Sequence, residues 1–165
     1  MSCKPSADPP ETIFEIRRAT REEMDSAYAI VQEYYEAARV VARDAKEDIA
    51  QFYFGAASGF WLAVIDTCAV GCIALRPMSG ISAAGEVKRP FVQPVFRGRG
   101  IAAALYAALE AYAVKSGYQW LYLDTAADMT AAQGFYKTLG YEFCNRYNDN
   151  PQATIFMRKK LERFP

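Results

Sequence analysis

Apolar and polar positions recur along this chain with two different periods. Thr12 to Arg18 (TIFEIRR) alternates residue by residue, as a short half-buried strand does. Thr20-Arg21-Glu22-Glu23 then spells a capping box, with Thr20 as N-cap and Glu23 reaching back to it. Met24, Ala27, Ile30, Val31 and Tyr34 follow on one face of a helix predicted to run to about Ala42, and a second short helix is expected from about Ala45 to Phe54. Phe60 to Ile65 and Ala69 to Leu75 are apolar runs rich in β-formers on either side of Asp66-Thr67, the pattern of a hairpin. Glu86 to Val92 (EVKRPFV) is a further strand, but Pro90 inside it has no N–H to give a ladder, so the strand must be interrupted, bulged or splayed there.

The loop Gln93 to Gly100 leads into a helix to about Ser116, with Ile101, Leu105, Ala108, Leu109 and Tyr112 in helical spacing and Gly117 as its stop. Trp120 to Leu123 reads as a buried strand, Thr130 to Leu139 as a helix ended by Gly140, and Tyr141 to Arg146 and Ala153 to Arg158 as closing strands. Strands mixed with helices, including a strand-helix-strand crossover in the middle, predict a three-layer α/β domain. Met1 to Pro10 holds three prolines and little that packs, so 1–10 is expected to be a disordered lead-in and 11–165 a single domain.

Composition narrows the chemistry more than the fold. The 165 residues, 52% of them hydrophobic, suffice for one core, but there is no histidine. That excludes a Ser-His-Asp triad, a Cys-His dyad, a His-ligated metal and imidazole acid/base work, leaving Asp, Glu, Tyr, Lys or Cys to move protons. Lys+Arg and Asp+Glu number 19 each, so no overall field draws the chain to nucleic acid or to an anionic membrane. Cys3, Cys68, Cys72 and Cys144 form no CxxC pair, which points to free thiols and no structural zinc. The first residues lack an apolar core of the kind secretion needs, and the expected location is the cytoplasm.

The most informative stretch is Val92-Gln93-Pro94-Val95-Phe96-Arg97-Gly98-Arg99-Gly100-Ile101-Ala102, where a strand passes through a glycine turn into a helix. Gly98 and Gly100 permit close backbone approach, and the free amides at a helix start make a nest for an anion such as a pyrophosphate. The bland alternative is a solvated basic turn. Gly98-Arg99-Gly100-Ile101-Ala102-Ala103 also satisfies a Gly-x-Gly-x-x-Ala dinucleotide fingerprint, with Asp124 ending the next strand, which would make the protein a redox enzyme. Only about forty residues follow Asp124, too few for a second mononucleotide-binding half.

The same segment resembles the central motif of the GNAT superfamily of acyl-CoA-dependent N-acyltransferases, through Val92, Pro94, Phe96, Arg97, Gly98, Gly100, Ile101 and Ala102. Downstream, Ala132 and Phe135-Tyr136-Lys137-Thr138-Leu139-Gly140-Tyr141 resemble the superfamily's second signature at the matching distance, so the likeness covers about Gly85 to Tyr141. Met129 departs from it, standing where many members carry Asn. The resemblance implies a mixed central sheet with a splayed middle strand and helices on both faces. It also implies acetyl-CoA as cosubstrate without a metal, and direct transfer to a primary amine, whether a small molecule or a peptide, by a monomer or homodimer.

Residue by residue, the resemblance implies main-chain contacts of Phe91 and Val92 to the pantetheine arm, and pyrophosphate on Arg97, Gly98, Arg99, Gly100, Ile101 and Ala102. It makes Tyr136 the acid that protonates the departing thiolate and Glu86 the base for the incoming amine, with Asp124 the next candidate. Lys88 and Arg89 are neighbours on one strand and should face opposite sides of the sheet, so that at most one faces the acceptor. A non-catalytic acyl-CoA-binding module of the same fold is the rival function.

Overall fold

The computed structural model describes residues 13–163; the expected lead-in at 1–10 lies outside them. Seven strands form one mixed sheet: β1 (Glu15–Arg18), β2 (Gly59–Ile65), β3 (Cys68–Pro77), β4 (Ala84–Val92), β5 (Trp120–Thr125), β6 (Glu142–Phe143) and β7 (Ile155–Lys160), in the spatial order β1-β2-β3-β4-β5-β7-β6. The helices are α1 (Met24–Ala38), α2 (Lys46–Tyr53), α3 (Ile101–Lys115) and α4 (Thr130–Thr138). Among the described residues only β4 and β5 pair in parallel, joined by the crossover through α3; the other neighbours are antiparallel. A single parallel pair is not a doubly wound sheet, so the fold removes the dinucleotide reading of the glycine loop.

Pleating sends alternate residues of β2 to two cores. Trp61 and Ala63 join Ile101, Leu105 and Leu109 of α3, whereas Phe60, Leu62 and Val64 pack with Ile30 and Val31 of α1 and Ile49 of α2. Each large side chain sealed this way contributes about 1.5–3 kcal/mol. The Thr20–Glu23 box forms as expected, with the Thr20 amide donating to Glu23 Oε2 at 3.1 Å. It caps a short 3₁₀ turn over Arg21–Glu23 that runs on into α1.

Two boundaries and one cysteine differ from expectation. α1 stops at Ala38 rather than near Ala42, because Arg39 turns left-handed (φ 52°) and sends Val40 and Val41 toward the sheet gap. β6 is two residues long, since Arg146 spends its guanidinium on the carbonyls of Asn148, Asn150 and Ala153 and folds 144–154 into a loop. Cys72 and Cys144 are free thiols, but Cys68, partly exposed at the hairpin turn, is disulfide-bonded, which corrects the expectation for that residue. Among the described residues no helix is long and apolar enough to cross a membrane.

Candidate active site in the split sheet

β4 and β5 pair over three residues only, Ala84 to Glu86 against Trp120 to Tyr122. Beyond Glu86 they part, and the edge of β4 from Val87 to Val92 has no partner in β5. The break is built into the sequence. Register against β3 slips by one between Cys72↔Phe91 and Ala74↔Lys88, so β4 carries one extra residue, and Arg89 sits there with φ 55° beside Pro90. A left-handed non-glycine residue costs about 1–3 kcal/mol. Offsetting this, the Arg89 guanidinium pairs with buried Asp44 at 2.8 Å and lies over the Tyr35 ring.

The bulge reverses the alternation of the strand. Val87 packs on the α3 side, and Phe91, four residues on, packs on the α1 side. Lys88 and Arg89 therefore line one and the same cavity, which corrects the expectation that they face apart.

Three cavities run in line through the gap. The first, about 260 Å³, lies at the glycine loop and is lined by Phe96, Arg97, Gly98, Gly100, Ile101 and Ala102 among others. A second, about 420 Å³ and mostly apolar, shares Val92, Arg97, Ala102 and Phe135 with it and includes Phe91, Cys72 and Tyr106. The third, about 120 Å³, holds Arg43, Lys88, Arg89, Asp124, Asn150 and Gln152, and meets the second at Tyr34, Ala38, Pro90, Met129 and Tyr136.

At the loop, Gly98 (φ 76°) and Gly100 (φ 79°) adopt backbone that L side chains rarely take, and a Cβ on either would meet nothing within 4 Å. Backbone shape, not packing, therefore requires glycine there, and the space above it is open. The first bond of α3 is donated by Ala104 to Gly100, leaving the amides of Gly100 to Ala103 directed outward at the positive end of the helix. Arg97 Nε donates to the Val92 carbonyl at 3.0 Å, tying the loop to the end of β4. Arg99 lies instead over the Phe96 ring, outside the lining of the cavity.

Tyr136 stands on α4 among Tyr106, Phe135 and Tyr141, with ring centroids 6.0 to 6.2 Å away. Burial raises its phenol above the ordinary value, and the Asp124 charge adds to the rise, so the hydroxyl stays protonated at neutral pH. Cys72, the thiol in the second cavity, is fully buried and donates to the Arg89 carbonyl at 3.2 Å. Burial pushes that thiol up too, which leaves it a poor nucleophile.

The charged wall of the third cavity is one network. Lys88 Nζ lies 3.0 Å from Glu86 Oε1 and 3.4 Å from Asp124 Oδ1, and Arg76 lies 2.9 Å from Glu86 Oε2. Asp124 also accepts from Asn148 at 2.7 Å and Asn150 at 3.2 Å. Burial opposes its ionisation, yet Lys88 and the two amides outweigh burial and hold its carboxyl below the ordinary value. Asp124 lines the cavity; Glu86 is absent from the lining, enclosed by Arg76, Lys88, Tyr147 and Asn148.

Arg43, Asn148, Asn150, Gln152 and Tyr34 escaped the sequence reading. Arg43 bonds Gln152 at 3.0 Å across the mouth, and among the described residues no carboxylate pairs with it. The loop composition Asn-Asp-Asn-Pro marks a turn, but nothing in its spacing tells which carboxylate the asparagines meet.

Fold and site together define an α/β protein with a cleft through the middle of its own sheet. Residues 24–141 match the model of the Acetyltransferase (GNAT) family, and the chain belongs to that family. It is 31% identical over 96 residues to an uncharacterized N-acetyltransferase of Schizosaccharomyces pombe, covering 58% of each chain. It is 38% identical over 95 residues to the human N-acetylaspartate synthetase, covering 57% of this chain and 31% of that one. The chain thus spans between about a third and three-fifths of these relatives. In fold it is similar to a Staphylococcus aureus acetyltransferase of the GNAT family, with TM-score 0.79 and 19% identity over 91% of this chain and 100% of the other.

Proposed function

We propose that this protein transfers an acetyl group from acetyl-CoA to the primary amine of a small acceptor bearing a carboxylate, by direct attack in a ternary complex. The observation that carries the reading is that a long apolar groove, starting at a helix-start anion nest, ends at Tyr136, where a charged cavity begins. On this reading the pyrophosphate rests on the amides from Gly98 to Ala102, and the pantetheine arm lies along the unpaired edge of β4 at Phe91 and Val92. The acceptor enters from the side of Lys88 and Asp124.

The acceptor ammonium first gives a proton, through water, to ionised Asp124, with Glu86 acting indirectly by holding Lys88 in place. The neutral nitrogen then attacks the thioester carbon, forming the C–N bond while the carbonyl electron pair moves onto oxygen. Collapse of that intermediate breaks the C–S bond, Tyr136 protonates the departing CoA sulfur, the nitrogen loses its remaining extra proton to solvent, and the proton taken up by Asp124 passes through water to restore the Tyr136 hydroxyl. The products are amide, CoA thiol and one net proton. Arg43, a cation at the mouth with no carboxylate partner among the described residues, is the group for the acceptor's carboxylate. The likeness to a protein named N-acetylaspartate synthetase supports an acidic amino acid as that acceptor.

Release of CoA thiol from acetyl-CoA, measured with aspartate, glutamate and carboxylate-free diamines, tests this. Acidic amino acids are expected to be preferred, and Arg43→Ala to raise their KM about 10-fold with little change in kcat. A preference for diamines would overturn the carboxylate assignment. Acetyl-CoA binding without thiol release for any amine would leave a binding module instead of an enzyme.

A further inference from the structure

Of the five residues that border both the donor groove and the acceptor cavity, Ala38, Pro90 and Met129 offer no side-chain hydrogen-bond donor, and Pro90 has no N–H either. Tyr136 and Tyr34 are the two that do. They come from opposite faces of the sheet: Tyr136 on α4 packs with the α3-side core, Tyr34 on α1 with the other. They share one place because β4 and β5 stand apart beyond Glu86. The Tyr34 ring lies edge-on to Phe91 of β4, at 6.2 Å between centroids, and close to the Arg89 guanidinium.

Among the described residues the Tyr34 hydroxyl has no hydrogen-bond partner, and it is not one of the sealed hydroxyls that Tyr53, Tyr106 and Tyr141 present. A donor left open in a cavity wall is available to a ligand.

We propose that Tyr34 is a second catalytic residue, donating its hydroxyl proton in a hydrogen bond to the thioester carbonyl oxygen and to the oxyanion that forms on it. The proposal rests on the acetyl-transfer reading above and divides the labour at the junction. Tyr136 serves the sulfur and gives up its proton, whereas Tyr34 serves the oxygen and keeps its own. Packing against Phe91 holds Tyr34 on the β4 side, where the carbonyl end of a strand-paired pantetheine arm arrives. Burial raises the Tyr34 phenol, so it remains a donor across the working pH range. In the sequence Tyr34 passes for one more apolar position on α1, because the ring does pack and only the hydroxyl is at work.

The test compares Tyr34→Phe with Tyr136→Phe in the full chain. Acetyl-CoA labelled with ¹³C at the carbonyl gives a signature that packing does not move. In the wild type its bound resonance should lie downfield of the free ligand, and Tyr34→Phe should return it toward the free value while Tyr136→Phe leaves it in place. Under single turnover with acceptor, Tyr34→Phe should lose about 10²- to 10³-fold in rate, the usual cost of removing one oxyanion donor. An unshifted bound resonance in the wild type, or a shift and rate retained in Tyr34→Phe while Tyr136→Phe is slow, would overturn the role of Tyr34 and leave the acetyl-transfer reading intact. Failure of the wild type to bind acetyl-CoA would instead overturn the reading on which the proposal rests.

Discussion

Asp124 is the residue at which charge, burial and position meet. Its carboxyl is held below the ordinary value, so it is ionised throughout the neutral range, and on the proposed reading it takes a relayed proton only in passing and hands it on through water. Asp124→Asn should therefore slow acetyl transfer most at moderate pH, where the acceptor amine is protonated, and least at high pH, where it is already neutral. Rates for Asp124→Asn and Glu86→Gln across pH check this, and a loss confined to moderate pH in Glu86→Gln alone would return the base to Glu86. The sign for stability follows from the same depression. A carboxylate depressed by folding contributes stability above its unfolded value and loses it as pH falls through the folded one. Thermal melts of Asp124→Asn should thus depend less on pH on the acid side than those of the wild type.

At the scale of elements, the join of β4 to α3 is where the proposed reading puts the donor. Gly100→Val places a β-branched side chain where φ is 79° and narrows the approach to the amides. Acetyl-CoA affinity, measured by calorimetry, should fall at least 10-fold, and unchanged affinity in a folded variant would remove the loop from the binding site. This join was legible in the sequence because local rules govern it: glycine in a turn, apolar spacing in a helix, proline in a strand. Pro90 announced the break, but not that Arg89 would take the extra position. That choice depends on Asp44 and Tyr35, 45 and 54 residues away in the chain, and with it went the prediction that Lys88 and Arg89 face apart. The loop 144–154 was illegible for a related reason. Arg146 shapes it through backbone carbonyls, and only the folded loop brings Asn148 and Asn150 to Asp124.

In the whole molecule, the gap does what neither half of the sheet could do alone. A closed sheet separates its two faces, whereas parting β4 from β5 lets α1 and α4 put phenols at one point and joins the cavity beside the glycine loop to a charged one. The central claim is that the chemistry happens where those cavities meet, with Tyr136 as proton donor to the sulfur. Its most direct test is the single-turnover rate of Tyr136→Phe, which keeps the ring and removes only the hydroxyl. The account predicts wild-type folding, nearly unchanged acetyl-CoA affinity and a rate lower by about 10²- to 10⁴-fold. A wild-type rate in a folded Tyr136→Phe variant, with chemistry limiting, would contradict it.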